Sequence, residues 1–202
     1  ENILLEEKNN NLIISTNNNS TTIKGYPVED FPLMPFIKDT KEFFNLPAKD
    51  FISGLNSVSY AASLSEMKPE IASVFIHSQK TFSFVATDSF RLARKTISFN
   101  FSNSFYLLIP IRSVTEIIRI FENEEGDIKI FPHKNQIFFF SEKIKFFSRL
   151  IEGNFPDYEE IIPKNFITTV ILDKNLFGNN LKIASIFSGK LNEVKIELIP
   201  EK

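Results

Sequence analysis

Three segments of the chain repeat the same apolar pattern at a fixed spacing of 63 residues, and this repeat constrains the fold more than any other feature. The matching positions are Leu46, Ile109 and Leu172; Phe51, Val114 and Phe177; Leu55, Ile118 and Leu181; and Val58, Phe121 and Ala184. Within each copy the last three positions are four and then three residues apart, which places them on one face of a helix. A fixed period of this length indicates repeated structural units. Each unit therefore contains an amphipathic helix whose apolar face must pack on a partner.

The residues around each helix predict strands. A strand-like segment precedes each helix, and Pro47, Pro110 and Asp173 stand where the helices should begin. Turn residues separate three β-prone segments after the first helix and three after the second, namely 71–76, 81–86, 90–97, 127–132, 135–140 and 143–150. Residues from about 40 to 163 thus predict two β-α-β-β-β units that form one α+β domain, with antiparallel strands and with the helices on one sheet face.

The two ends of the chain read as incomplete copies. Residues 1–36 predict two strands and a loop from Gly25 to Pro35, while residues 164–202 predict the opening of a third unit. The chain begins at Glu1 and stops directly after the strand-like run 194–199. We therefore expect it to be a piece of a larger architecture.

Composition narrows the functional classes. With 23 Phe, 6 Gly and no Trp, the apolar residues favour β-structure. The 23 basic and 25 acidic residues give a net charge of -2, so any nucleic-acid contact has to be a local patch. The absence of Cys excludes disulfides, thiolate metal sites and a Cys nucleophile, and it fits a reducing cytosol. Because the sequence has no apolar run of membrane-spanning length and no signal peptide, we expect a soluble protein.

Few residues have the pattern of a catalytic group. His77 and His133 fall at predicted hairpin ends without Cys, His or carboxylates at ligand spacing, so we interpret both as surface-turn residues. Asp88 ends a strand, where an Asp makes local turn hydrogen bonds. Glu159 and Glu160 are adjacent and point to opposite sides of an extended segment. We expect no catalytic residue, no metal site and no cofactor.

The helix face opposite the apolar stripe carries polar residues in every copy. They are Lys49, Ser53 and Asn56; Arg112, Glu116 and Arg119; and Asn175, Asn179 and Lys182. Four are basic and one is acidic, a local positive bias of the kind that follows a phosphate backbone without reading bases. The alternative is an ordinary solvated face with exposed ion pairs, which is the more common arrangement when charge alone is considered.

Three motifs in register along the chain carry a family resemblance. They are YPVEDFP at 26–32, FVATDSFRLA at 84–93 and SRLIEGNFPDYEEIIPKN at 148–165. Together they resemble the bacterial DNA polymerase III beta subunit, the sliding clamp. The resemblance divides the chain into the end of a first clamp domain (1–36), a complete middle domain (37–165) and the start of a third (166–202).

The resemblance implies a homodimeric ring with sheets outside and helices lining a hole for duplex DNA. In that arrangement the basic helix residues would face DNA, and the candidates are Lys49, Arg112, Arg119 and, in the incomplete copy, Lys182. A ring that slides needs weak, sequence-independent contacts, so few basic residues are expected. The alternative is that these residues only keep the helices soluble.

The resemblance also implies a surface pocket for a short peptide motif of polymerases, the clamp loader and repair proteins. Carried over to matching positions, the pocket comprises Ile71, Thr87, Ser89, Phe90, Arg91, Leu92, Pro156 and Ile161. Its apolar members would form a floor, while Thr87, Arg91 and backbone at a strand end would orient the peptide. Such a pocket predicts weak, exchangeable binding. The alternative is that these are ordinary core and sheet-edge residues.

The chain departs from the clamp pattern at the rim of this pocket. Ser89 and Phe90 follow the Thr-Asp pair where the family commonly has Gly and then a His or similar polar residue, so peptide preference should differ. Glu160 stands where some clamps have a basic residue, which would remove a contact to an acidic peptide end. The family's C-terminal tail, which forms the other half of the pocket, lies outside this sequence, as does the contact that closes the ring. The 202-residue chain alone is therefore not expected to form a ring.

The resemblance implies a non-catalytic processivity factor, which encircles duplex DNA and recruits the polymerase III catalytic subunit, the clamp loader and other clamp-motif proteins. Tethering would hold the polymerase near its template. Two alternatives stay open at this point. One is a protein-interaction module of the same fold without DNA clamping, and the other is a DNA-processing enzyme on an unrelated β-rich scaffold.

Overall fold

The structure, a computed structural model, describes residues 2–31, 44–78, 81–99, 104–189 and 193–198. It divides into two compact units, Glu1–Phe155 and Pro156–Lys202. No helix in the described ranges is both long enough and apolar enough to cross a membrane.

Two copies of the predicted unit follow one another in the first compact unit. The first copy consists of β4 (Phe44–Pro47), α1 (Ala48–Ser59), β5 (Ser73–Ser78), β6 (Phe82–Thr87) and β7 (Leu92–Ile97). The second consists of β8 (Phe105–Pro110), α2 (Ile111–Phe121), β9 (Asp127–His133), β10 (Gln136–Phe140) and β11 (Lys145–Arg149). The predicted α+β order and the antiparallel meanders are therefore confirmed.

The two copies exchange their first strands. One sheet has the order β11-β10-β9-β4 and the other β7-β6-β5-β8, so each leading strand pairs with the meander of the other copy. Leu46 lies opposite Ile128, and Ile109 lies opposite Val74. Each repeat thus completes the sheet of its partner, an arrangement that the sequence pattern alone did not predict.

The start of each helix is also hydrogen-bonded to the opposite copy. Pro47 and Pro110 occupy the N-cap positions of α1 and α2, as predicted. The first helical N–H of α1 donates to the carbonyl of Gly126 at 3.0 Å, and that of α2 donates to the carbonyl of Ala72 at 3.0 Å. The first N–H of a helix has no partner within the helix. In both helices that N–H is therefore hydrogen-bonded to the opposite copy.

Both helices pack into one core with both sheets. The predicted stripe of α1 is fully buried at Phe51, Leu55 and Val58. In α2 the buried residues are Val114, Ile117 and Phe121, while Ile118 is only partly buried. The α2 stripe is therefore turned by one residue from the strict repeat at that position.

A chain of phenylalanine rings joins the elements of the core. The ring centroid of Phe51 on α1 lies 5.8 Å from that of Phe84 on β6 and 5.7 Å from that of Phe139 on β10. These tilted aromatic contacts connect one helix to both sheets. The high Phe content of the sequence is thus used to close a single core over two sheets.

The N-terminal segment forms three strands, so the prediction of two was wrong. They are β1 (Leu4–Lys8), β2 (Asn11–Ser15) and β3 (Ser20–Ile23), paired in that order as an antiparallel sheet. Asn9 and Asn10 have φ values of 54° and 62°, which suit a tight hairpin turn. The Asn-rich tract after Ser15 forms the second turn, between β2 and β3.

A short 3₁₀ turn, Val28–Asp30, follows within the predicted loop, whose residues 32–35 lie outside the described ranges.

Among the described residues of the second compact unit there is one helix, α3 (Lys174–Ile186). Asp173 caps it as predicted, accepting the N–H of Leu176 at 2.7 Å. The expected strands at 168–172 and 194–198 are absent from the described residues, and that part of the prediction was wrong. A strand exists only when a neighbouring strand pairs with it, and no described strand pairs with either segment.

The contact between α1 and β6 gives a direct test of this packing. A methyl group at Gly54 would overlap the ring of buried Phe84. We predict that Gly54→Ala lowers stability by about 1–2 kcal/mol, because overpacking outweighs the gain of roughly 1 kcal/mol in helix propensity. Thermal unfolding followed by circular dichroism measures the difference.

Gly178→Ala in α3 is the matched control, since an added methyl group there meets nothing within 4 Å. It should leave the unfolding temperature of the first unit unchanged and should slow amide exchange in α3. A Gly54→Ala protein as stable as the parent would contradict the described packing.

Candidate functional sites

Several of the predicted pocket residues lie in the turn between β6 and β7, whose backbone is fixed by hydrogen bonds within the turn. The Asp88 carboxylate accepts the N–H groups of Phe90 and Arg91 at 3.0 and 2.9 Å, and its second oxygen accepts Nε of Arg91 at 3.0 Å. The Thr87 hydroxyl donates to the Arg91 carbonyl at 2.8 Å and accepts the N–H of Ser89 at 3.1 Å. The Thr-Asp pair therefore fixes the backbone of the turn, in agreement with the structural role expected for Asp88.

These hydrogen bonds keep Asp88 ionised. The N–H of Arg91 is the largest cause that lowers the pKa of the Asp88 carboxyl below its ordinary value. Partial burial acts in the opposite direction, and the N–H of Phe90 and the Arg91 guanidinium add to the lowering. The charged carboxylate therefore belongs to the folded turn at neutral pH.

Ser89 has a strained backbone. Its φ is 77°, in the left-handed region that glycine adopts at little cost. Its N–H bond to Thr87 holds the residue there. Gly is what the resemblance implies at this position, and the backbone of Ser89 has the positive φ that glycine adopts most readily.

Arg91 is held from two sides. Its guanidinium forms an ion pair with Asp88 and lies 5.8 Å from the ring centroid of Tyr60, which follows the last residue of α1. This distance is within the range of a cation–π contact. Nothing in the sequence linked Tyr60 to this turn, because 31 positions separate it from Arg91.

The predicted pocket residues differ in how much surface they offer. Ser89, Phe90 and Arg91 are exposed, and the Phe90 side chain is almost fully so at 98%. Leu92 is half-buried, whereas Ile71 and Thr87 are buried. The structure thus brings together an exposed rim on the β6–β7 turn, and two of the predicted contact residues belong to the protein interior.

Pro156 and Ile161 belong to the second compact unit, where both are exposed. They lie in an irregular segment that precedes α3. Lys182 is exposed on α3 in the same unit.

The predicted DNA-facing residues of the first unit lie on the exposed faces of α1 and α2. Lys49, Arg112 and Arg119 are all exposed, on the sides of the helices opposite the core. However, Arg112 pairs with Glu66 at 2.8 Å, and Arg119 pairs with Glu116 at 2.5 Å. The expected positive bias is therefore offset by carboxylates.

Carboxylates also stand beside Lys49. A groove between α1 and the end of α2 is lined by Lys49, Ser53 and Asn56 on one side and by Glu122, Glu124 and Glu125 on the other. Sequence reasoning found Glu116, because it lies on the helix itself. It missed Glu66, since a residue in a loop 46 positions before Arg112 gives no periodic signal.

Both histidines lie on strands, so the interpretation of His77 as a surface-turn residue was wrong. His77 is half-buried on β5, beside the ring of Phe75 at 5.1 Å, and His133 is the exposed last residue of β9. Within the described ranges no three His, Cys, Asp or Glu side chains group as a metal site would require.

The strain at Ser89 yields a stability prediction. We expect Ser89→Gly to stabilise the protein by about 0.5–1 kcal/mol, because the left-handed conformation costs an L-residue roughly 1–2 kcal/mol and the greater freedom of unfolded glycine offsets part of the gain. Ser89→Ala is the control, because it keeps the Cβ and should give no such gain. Urea unfolding measures all three proteins, and equal effects of Gly and Ala would contradict the role of φ.

The lowered pKa of Asp88 predicts a pH dependence. Because the folded carboxyl has a lower pKa than the unfolded one, its ionisation stabilises the fold above about pH 4, and that contribution is lost as the pH falls through the folded pKa. The stability advantage of the parent over Asp88→Asn should therefore be present at pH 7 and shrink below about pH 4. Chemical unfolding at pH 3 to 7 tests this, and a difference that grows on acidification would contradict it.

The chain is similar to proteins of one known family. The family model of the DNA polymerase III beta subunit, central domain, matches residues 45–157, more than half of the chain. The beta sliding clamp of Streptococcus pneumoniae serotype 4 is 34% identical over 182 residues, which cover 88% of this chain and 48% of that protein. The chain thus spans about half the length of the curated relatives it matches.

Solved structures show the same fold. The DNA polymerase sliding clamp of Bacillus subtilis has a TM-score of 0.82 and 26% identity, with 93% of this chain and 50% of that chain covered. The Helicobacter pylori beta clamp bound to a DNA ligase peptide has a TM-score of 0.78 and 26% identity, with 93% and 54% covered. The interlocked β-α-β-β-β units are therefore those of the clamp fold, and the chain belongs to the family of the DNA polymerase III beta subunit, the bacterial sliding clamps.

Proposed function

We propose that the protein containing this chain is a sliding clamp that encircles duplex DNA as a homodimeric ring and holds the replicative polymerase on its template. The observation that carries the proposal is the match of the family's central domain to residues 45–157, where two helices cover one shared core and expose a polar face. The chain would supply the end of a first domain (1–36), the middle domain (37–165) and the start of a third (166–202). No catalytic role is included.

The exposed helix faces suit a contact that slides. A protein that reads bases needs side chains reaching base edges, whereas phosphate contacts carry no sequence information. Lys49, Arg112 and Arg119 are long, exposed cations, and the two arginines are held only by surface ion pairs that break readily. They would contact phosphates weakly and interchangeably along the duplex, and Lys182 would do the same from α3.

The β6–β7 turn would bind partner peptides. The turn exposes the ring of Phe90 and the guanidinium of Arg91 beside the end of a strand. Asp88 and Tyr60 both contact that guanidinium. The relative from H. pylori binds a DNA ligase peptide, which supports a peptide site in this family. Within the first compact unit, the residues proposed to contact the peptide are Ile71, Thr87, Ser89, Phe90, Arg91 and Leu92. The partners of this site would include the polymerase III catalytic subunit and the clamp loader.

A second function has two observations in its favour. Because the two arginines of α2 are ion-paired and the chain carries a net charge of -2, a peptide-binding module that does not clamp DNA would have the same surface. Binding of peptide without any binding of duplex DNA would favour this second function.

The peptide site is tested by fluorescence anisotropy with a labelled copy of the DNA ligase peptide that the H. pylori clamp binds. We predict saturable binding that Phe90→Ala or Arg91→Ala weakens about five- to fiftyfold, because each removes an exposed contact of about 1–2.3 kcal/mol. Leu92→Asp should abolish binding, with circular dichroism reporting whether the fold is intact.

Tyr106→Ala on β8 is the matched control, since Tyr106 is another exposed aromatic residue and belongs to the same sheet. It should leave the affinity unchanged. If Phe90→Ala and Arg91→Ala bind as tightly as the parent while Tyr106→Ala weakens binding, the peptide lies elsewhere and the assignment of the turn is wrong.

A further inference from the structure

Both arginines on the exposed face of α2 are paired with a carboxylate. Arg112 Nη2 lies 2.8 Å from Glu66 Oε1. Arg119 donates from Nε and Nη2 to the same oxygen of Glu116, at 3.1 and 2.5 Å. The two guanidinium groups of α2, which are the side chains best suited to contact phosphate, are thus already paired with carboxylates.

These pairs contribute little to stability. The side chains of Arg112 and Glu66 are 85% and 70% exposed, and those of Arg119 and Glu116 are 72% and 47% exposed. Ion pairs in such settings are worth about 0–1 kcal/mol. They therefore break readily, and their main effect is on the potential that an approaching anion meets.

A hydrogen-bonded loop holds Glu66 next to Arg112. Ser63 donates its N–H to the carbonyl of Ile71 at 2.9 Å, and its hydroxyl accepts the N–H of Ser65 at 3.1 Å. The loop therefore places a carboxylate near the first turn of α2, where a negative charge is favoured by the helix dipole. Arg112 is the second residue of that helix and is disfavoured by the same dipole until it is paired.

We propose that Glu66 and Glu116 compete with DNA phosphates for Arg112 and Arg119 and so keep the contact with the duplex weak. A phosphate that binds either arginine exchanges one anion for another and leaves the displaced carboxylate close by. The net gain per contact is small, which favours sliding over arrest. This inference rests on the proposed function, and it assigns Glu66 and Glu116 as positioning residues that act through the arginines.

The experiment titrates the 202-residue chain with a duplex of about 20 base pairs at low and moderate salt, following the Nε–Hε NMR signals of Arg112 and Arg119. Glu66→Gln and Glu116→Gln should each tighten binding on the order of two- to fivefold, and the double variant more, with a steeper dependence on salt. Glu142→Gln is the matched control, because it removes one exposed negative charge from the turn between β10 and β11.

The outcomes separate the inference from the function it rests on. If Glu66→Gln and Glu116→Gln bind no better than Glu142→Gln while Arg112→Gln and Arg119→Gln weaken binding, the competition is refuted and the DNA-facing role stands. If removing the arginines changes nothing, the DNA-facing role itself fails. Absence of any DNA-dependent shift in the parent and in the double glutamine variant would overturn both.

Discussion

The structure depends on the exchange of leading strands between its two repeats. Because β4 pairs with β9 and β8 pairs with β5, neither repeat has a complete sheet without the other. The Phe51 ring on α1 then lies near Phe84 on one sheet and Phe139 on the other, so both sheets share one helix-covered core. A core built this way orients both helices in the same manner, apolar side inward and polar side outward, and that orientation creates the surface proposed to face DNA.

One of the two sheets also positions the β6–β7 turn, which is proposed to bind peptides. β6 and β7 lie side by side at one edge of the sheet with the order β7-β6-β5-β8, and the turn that connects them is exposed at Ser89, Phe90 and Arg91. Thr87 and Asp88 close this turn with hydrogen bonds to its own backbone, which holds Ser89 at a positive φ and leaves Phe90 almost fully exposed. The two candidate sites therefore use different parts of one scaffold. The helices supply a weak, mixed-charge face, and the hairpin supplies a rigid, partly aromatic rim.

Much of the central domain was predictable from the spacing of apolar residues, because burial imposes a period on helices and meanders. Pro47, Pro110 and Asp173 marked the helix starts correctly for a different, local reason, since proline lacks the N–H and aspartate accepts one at the first turn. The exchange of strands was not predictable, since pairing between segments about 80 residues apart (β4 with β9) or about 30 residues apart (β8 with β5) leaves no trace in a local pattern. The third N-terminal strand was hidden by polar turn residues. The contacts of Glu66 with Arg112 and of Tyr60 with Arg91 depend on tertiary structure alone.

The exposed faces of α1 and α2 are the surface proposed to meet duplex DNA. The most direct measurement is paramagnetic broadening of backbone amide signals by a duplex that carries a nitroxide label. If these faces meet DNA, we expect the strongest broadening at Lys49, Ser53, Arg112 and Arg119, and weak broadening along β10 and β11. Strong broadening along those strands, with the helix faces unaffected, would contradict the proposal.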